Sequence, residues 1–139
     1  MALSCTAKQR SVRGSEPKCD GRVVAIASAH SADMDSRNFF SHINPDGKGP
    51  FQRLQGSNVA FSAVAENIAL GPKTGQEAYD TWLRSPGHRR NILDVSLDTV
   101  WGEWGTDGHM CCFGLRVSNR HEFSQCHLKG RTKMTQKCH

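Results

Sequence analysis

The chain of 139 residues has no apolar run approaching the ~20 residues that cross a bilayer core, so no transmembrane helix is expected. Met1 to Arg10 shows no apolar h-region, and no secretory leader is legible there. A leader already removed, a chain that is a fragment and a chain not secreted by that route are all compatible with this. No Cys-x-x-Cys pair and no clustered zinc-ribbon spacing is present. No Asn-x-Ser/Thr sequon occurs, so glycosylation gives no support for secretion. There is no Gly-x-Ser-x-Gly elbow to expose a nucleophilic serine, and no internal repeat.

What is present reads as one folded domain. The hydrophobic fraction is 37% and the charged fraction 22%, the balance of a soluble globular protein rather than a disordered one. Six cysteines, Cys5, Cys19, Cys111, Cys112, Cys126 and Cys138, point to an oxidising compartment and to disulfides. Their pairing is not deducible from the sequence, and buried thiols in a reduced protein are the alternative. Cys111 and Cys112 are adjacent, so on a strand they would face opposite ways and need different partners. The net charge of +5 lies in the last segment: residues 115–139 hold six Lys/Arg against one acid, Glu122. We therefore expect a domain over residues 1–117 and a basic, cysteine-containing extension over 118–139. Such an extension suits an acidic surface, a protein partner or an assembly. With Phe123 as its one aromatic it lacks the stacking platforms of a single-strand nucleic-acid binder, and no nucleic acid is expected.

Residues 3–14 fit a short helix broken at Ser15-Glu16-Pro17. Residues 19–38 fit a second, with Val23, Ala27, His30 and Met34 on one stripe at i, i+4, i+7 and i+11. His30 in that stripe reads as a hydrogen-bonded core histidine in preference to a ligand. Asn44-Pro45-Asp46-Gly47 is a turn, and Pro50 opens a helix that continues through Phe51, Arg53 and Leu54. Residues 59–70 are small and apolar, interrupted at Glu66-Asn67 and closed by Gly71-Pro72. Thr74-Gly75-Gln76-Glu77 is a capping box ahead of Ala78, Tyr79 and Trp82. Ser85-Pro86 restarts the chain, with Ser85 expected to cap and Pro86 at the first helical position. His88 then falls in the first turn. Residues 100–104 and 110–117 read as strands joined through Gly105-Thr106-Asp107-Gly108. Helices followed by a hairpin make the class α+β.

Several of these segments carry a resemblance. His30-Ser31-Ala32-Asp33-Met34, Phe39-Phe40-Ser41-His42, Asp46-Gly47, Ala65-Glu66-Asn67-Ile68-Ala69, and Trp82 followed by Ser85-Pro86-Gly87-His88-Arg89-Arg90-Asn91-Ile92-Leu93 occur in one order. Together, over residues 3–114, the set resembles the CAP (SCP-like) superfamily, and is most similar to its compact, bacterial-type branch. No single piece is specific; the ordered set is. The resemblance implies a three-layer helix–sheet–helix sandwich around a small antiparallel sheet. It also implies a cavity that usually holds two His and two Glu. Carried over position by position, His42 matches the first His, Glu66 the first Glu and His88 the second His. The second Glu usually stands three residues after the helix Trp, and here that position is Ser85. Ser85 and Asn67 would be cavity neighbours.

Two imidazoles and one carboxylate can hold Zn²⁺ with an open position, which is closer to a catalytic than to a structural site. A metal hydrolase also needs a base beside the bound water, and Glu77 and Asp80 on the preceding helix are poorly placed for it. The other reading of His42, Glu66 and His88 is a buried polar network that binds no metal. A Ser–His–carboxylate set built from Ser41 or Ser85 lacks a supporting oxyanion loop. Asn67 and Asn91 are expected to bond backbone, and Arg89 and Arg90 to be solvated. The function expected first is a secreted, non-enzymatic module that binds a lipid or sterol, a cell surface or a protein partner, within an extracellular assembly in one version. The alternative is a metal-dependent hydrolase, a protease or a wall-active enzyme, using the His/Glu/His cavity. A structural subunit of an extracellular assembly is the third reading.

Overall fold

The computed structural model describes residues 20–94, 96 and 97, together with strand segments at 99–100, 103–104 and 109–117. The helix expected at 3–14, the extension 118–139 and Cys5, Cys19, Cys126 and Cys138 lie outside the described residues.

The first helix, α1, spans Gly21–Ser36. Asp20 caps it by accepting from the Arg22 amide at 2.9 Å. The expected stripe is buried: Val23, Ala27, His30 and Met34 face inward with Ser31. The helix gives way at Asn38, whose φ of +53° is a left-handed conformation that asparagine tolerates. Helix α2, Pro50–Gln55, begins at its proline as expected. The segment left without an assigned element is a strand, β1, Phe61–Leu70. Its partner β4, His109–Val117, runs antiparallel to it with Glu66 opposite Phe113 and Asn67 opposite Cys112. Two short strands, β2 (Thr99–Val100) and β3 (Glu103–Trp104), pair with the other side of β4. β4 is therefore central and β1 an edge of the described sheet.

Successive strand residues point to opposite faces, and β1 shows what each face meets. Ile68 and Val64 pack with Val23, Ala27 and Met34 of α1 and Leu54 of α2. Ala69 packs instead with Ala78, Tyr79, Trp82 and Ile92 of the two later helices. Those are α3, Gly75–Arg84, and α4, Pro86–Leu93. Helices on both faces of one antiparallel sheet make the three-layer α+β sandwich. Between Phe61 and Ala63 the register slips, with two residues of β1 set against one of β4. That bulge brings Phe61 onto the same face as Val64, where it meets Phe51 edge-on at 5.4 Å.

The start of α3 follows the capping box with one change. Thr74 Oγ1 accepts from the Glu77 amide at 3.1 Å, while the Glu77 carboxylate accepts from Lys73, not from Thr74. Ser85 both ends α3 and begins α4, but the expected side-chain cap is not made. Its backbone does the joining: its N–H donates to Trp82 O at 3.1 Å and its carbonyl accepts from Arg89 at 2.8 Å. The indole N–H of the buried Trp82 donates to Ile68 O at 3.0 Å, tying α3 to the edge strand.

Candidate functional site

Glu66 sits in the middle of β1 on the α1/α2 face, its side chain 1% exposed. A buried carboxylate needs compensating charge and donors, and two side chains supply them. His42 Nδ1 lies 2.7 Å from Oε1. A carboxylate can only accept here, so Nδ1 carries the proton. Arg53, on α2, spans both oxygens with Nη1 to Oε2 at 2.8 Å and Nη2 to Oε1 at 3.0 Å. The same Nη2 donates to the backbone carbonyl of His42 at 2.8 Å. Arg53 thus holds the loop carrying His42, the strand carrying Glu66 and its own helix in one cluster. The pair is nearly dry, with Arg53 9% exposed, while His42 is half exposed at 48%.

Electrostatics follow the geometry. Burial pushes the Glu66 carboxyl up, but the hydrogen bonds from His42 and Arg53 and the guanidinium charge outweigh it, and the net shift is downward. His30, on α1, is held under the ordinary imidazole value by burial first and by the Arg53 charge second. Its Nε2 lies 3.0 Å from Ser41 O, and a carbonyl accepts, so Nε2 bears the proton. That fits a core histidine that also fixes the residue before His42.

His88 lies in the opposite helix layer, in the first turn of α4. Its carbonyl accepts from Asn67 Nδ2 at 3.1 Å, and Asn67 Oδ1 accepts from Asn91 Nδ2 at 2.9 Å. The amides thus bond backbone and each other, and they set where α4 begins. The His88 imidazole is held below its ordinary value by burial and then by repulsion from His42. Ser85 is half buried at the α3–α4 joint, and Arg89 and Arg90 are exposed.

The structure therefore joins His42 directly to Glu66, ties the backbone of His88 to Asn67 on the opposite face of β1, and adds Arg53. The sequence reading placed Arg53 only as a helix residue. The signal for it was indirect: a carboxylate inside an apolar run calls for a buried cation, and the sequence does not say which of its arginines answers. Among the described residues no group of three or more His, Cys, Asp or Glu side chains is arranged to hold a metal ion. The residues present do not fit a divalent cation as placed, because both Glu66 oxygens already face a guanidinium that does not deprotonate.

The comparisons with known proteins agree with this architecture. The family model described as "CAP: Cysteine-rich secretory protein family" matches residues 17–100. YkwD, an uncharacterized protein of Bacillus subtilis (strain 168), is 36% identical over 99 residues, 70% of this chain and 38% of that protein. An extracellular protein containing a SCP domain from Bacillus anthracis str. Ames superposes with a TM-score of 0.75 at 28% identity, over 81% of this chain and 39% of that one. An outer surface protein from Borrelia burgdorferi gives a TM-score of 0.72 at 18% identity, over 81% and 89% of the two chains. The chain thus spans well under half of the curated relative and of the B. anthracis protein. Among the described residues no helix is long and apolar enough to cross a membrane. With the family model covering most of the chain, the protein belongs to the cysteine-rich secretory protein (CAP) family.

Proposed function

We propose that this chain is an exported CAP module that acts by binding and turns over no substrate. The observation that carries the reading is the state of Glu66: both of its oxygens are engaged by Arg53 and His42. A carboxylate so held is a poor general base, since its proton affinity is lowered and its lone pairs are in use. The position where a second carboxylate was expected carries Ser85. Phe40 and Ile43, on either side of His42, are exposed at 48% and 58%, and this supports a contact surface beside the polar cluster. The extracellular and outer-surface descriptions of the structural relatives support export. The partner classes are a lipid or sterol, a cell-surface component or a protein.

Two assays test the reading on the full chain. Peptide, ester and glycan substrates are offered with and without added zinc, and retention is measured on sterol-containing vesicles, isolated cell walls and extracellular proteins. We expect no turnover, and retention that falls when Phe40→Ser and Ile43→Ser are combined. Turnover that disappears in His42→Ala would overturn the reading and make the chain a hydrolase.

A further inference from the structure

The most unusual group in the cluster is the one with no place in the expected ligand set. Arg53 approaches Glu66 from α2, is 9% exposed, and meets both carboxylate oxygens with two separate nitrogens. Its second anchor is the carbonyl of His42. Those are the side chain and the loop that a cation bound between Glu66 and His42 would have to bridge. We infer that the guanidinium of Arg53 stands in the place of a metal ion in this chain, neutralising Glu66 and closing the His42–Glu66 pair to divalent cations.

The argument is one of charge and lone pairs. Zinc ligands must present deprotonated donors with free lone pairs. Glu66 Oε1 accepts from both His42 and Arg53, and Oε2 accepts from Arg53. His42 directs its protonated Nδ1 at the carboxylate, so only Nε2 is left to ligate. An entering dication would have to expel a buried, permanently charged guanidinium or share a carboxylate with it at short range. The planar fork of arginine satisfies both oxygens with one charge, which suits a site with a single carboxylate better than a dication does. The same fork holds the backbone of His42, so the loop needs no metal to order it.

The test is a zinc titration of the full chain with its thiols alkylated, because free thiolates would compete for the ion. Calorimetry reads stoichiometry, and the imidazole resonances of His42 and His88, assigned from alanine variants, report the site. Wild type should show no saturable zinc site and no movement of these resonances at equimolar zinc. Arg53→Gln should gain a saturable site, and His42→Ala on that background should remove it. Stoichiometric zinc on wild type, lost in His42→Ala, overturns the inference. A folded Arg53→Gln that still refuses zinc overturns it as well, since the guanidinium would then not be what excludes the ion. If Arg53→Gln does not fold, Arg53→Lys serves: it keeps the charge and should refuse zinc like wild type, and zinc uptake by it sinks the idea. The inference shares the Arg53–Glu66 pair with the binding-module reading but fails separately. Zinc on wild type without turnover would end this inference and leave that reading standing.

Discussion

The two faces of β1 each place a polar residue in an apolar layer, and they treat it differently. Towards α1 and α2, Glu66 lies between Val64 and Ile68 and is charged, with an arginine and a histidine closing around it. Towards α3 and α4, Asn67 lies beside Ala69 and is neutral, with a chain of amides running to Asn91 and to the backbone of His88. The charged face gains a cross-link between three segments, but each member depends on the others. Removal of one leaves an uncompensated charge in a dry place. The neutral face fixes the start of one helix, and losing a member there leaves only an unmade hydrogen bond.

Breaking the charged face should give the largest effect. Arg53→Met leaves Glu66 buried without its cation and should cost about 3–5 kcal/mol in urea denaturation. Adding Glu66→Leu to it should restore most of that loss, because an apolar pair needs no compensation. If the single change costs no more than one on the amide face, the contrast is wrong. On that face Asn67→Ala should cost about 1–3 kcal/mol, the range for an unsatisfied buried partner. Trp82→Phe, which keeps an aromatic ring and loses the bond to Ile68 O, should fall in the same ~1–3 kcal/mol range.

Acid sharpens the contrast. The folded state holds the His30 and His88 imidazoles below their ordinary values, so it binds fewer protons than the unfolded chain as pH drops below ~6.5. Stability should therefore be full above that pH and decline as it falls towards the lowered folded values, and His30→Gln should flatten this slope. Glu66 adds a second loss beginning near pH ~4.3, where unfolded carboxylates protonate first. Glu66→Gln should shrink this lower limb, which Asp20 and Asp33, also lowered, share, whereas Asn67→Ala should keep both limbs unchanged. The smallest effect belongs to the exposed bridges from Arg37 to Asp33 and Asp46 at 2.6 and 2.9 Å. Arg37→Ala should move the urea midpoint least of the set, and the difference should vanish in high salt.

What the sequence disclosed was mostly local. The stripe Val23, Ala27, His30 and Met34, the start at Thr74 and the helix openings at Pro50 and Pro86 all rest on interactions within a few turns, and all are present. The strand at 61–70 was not recognised, because its signal is pairing with β4, far along the chain, and because both of its faces are covered. A strand covered on both faces loses the polar–apolar alternation that marks a half-exposed one. The Ser85 cap was expected from residue type, whereas the shared joint there is made by its backbone. At the site, the order of short motifs located His42 and Glu66 together, but Arg53 meets them only through tertiary packing.

The bulge between Phe61 and Ala63 has a further consequence for how this strand tolerates changes of length. It makes exposed Ser62 one residue in excess of a regular two-residue phase. Deleting Ser62 would leave Phe61, Val64, Glu66 and Ile68 in step, with every side chain on the face it now occupies. Deleting Ala65 would throw the two halves of the strand out of step, turning either Val64 or Glu66 away from α2. One deletion should leave a protein that melts close to wild type, and the other a chain in which Arg53 has lost its carboxylate or the core its apolar layer.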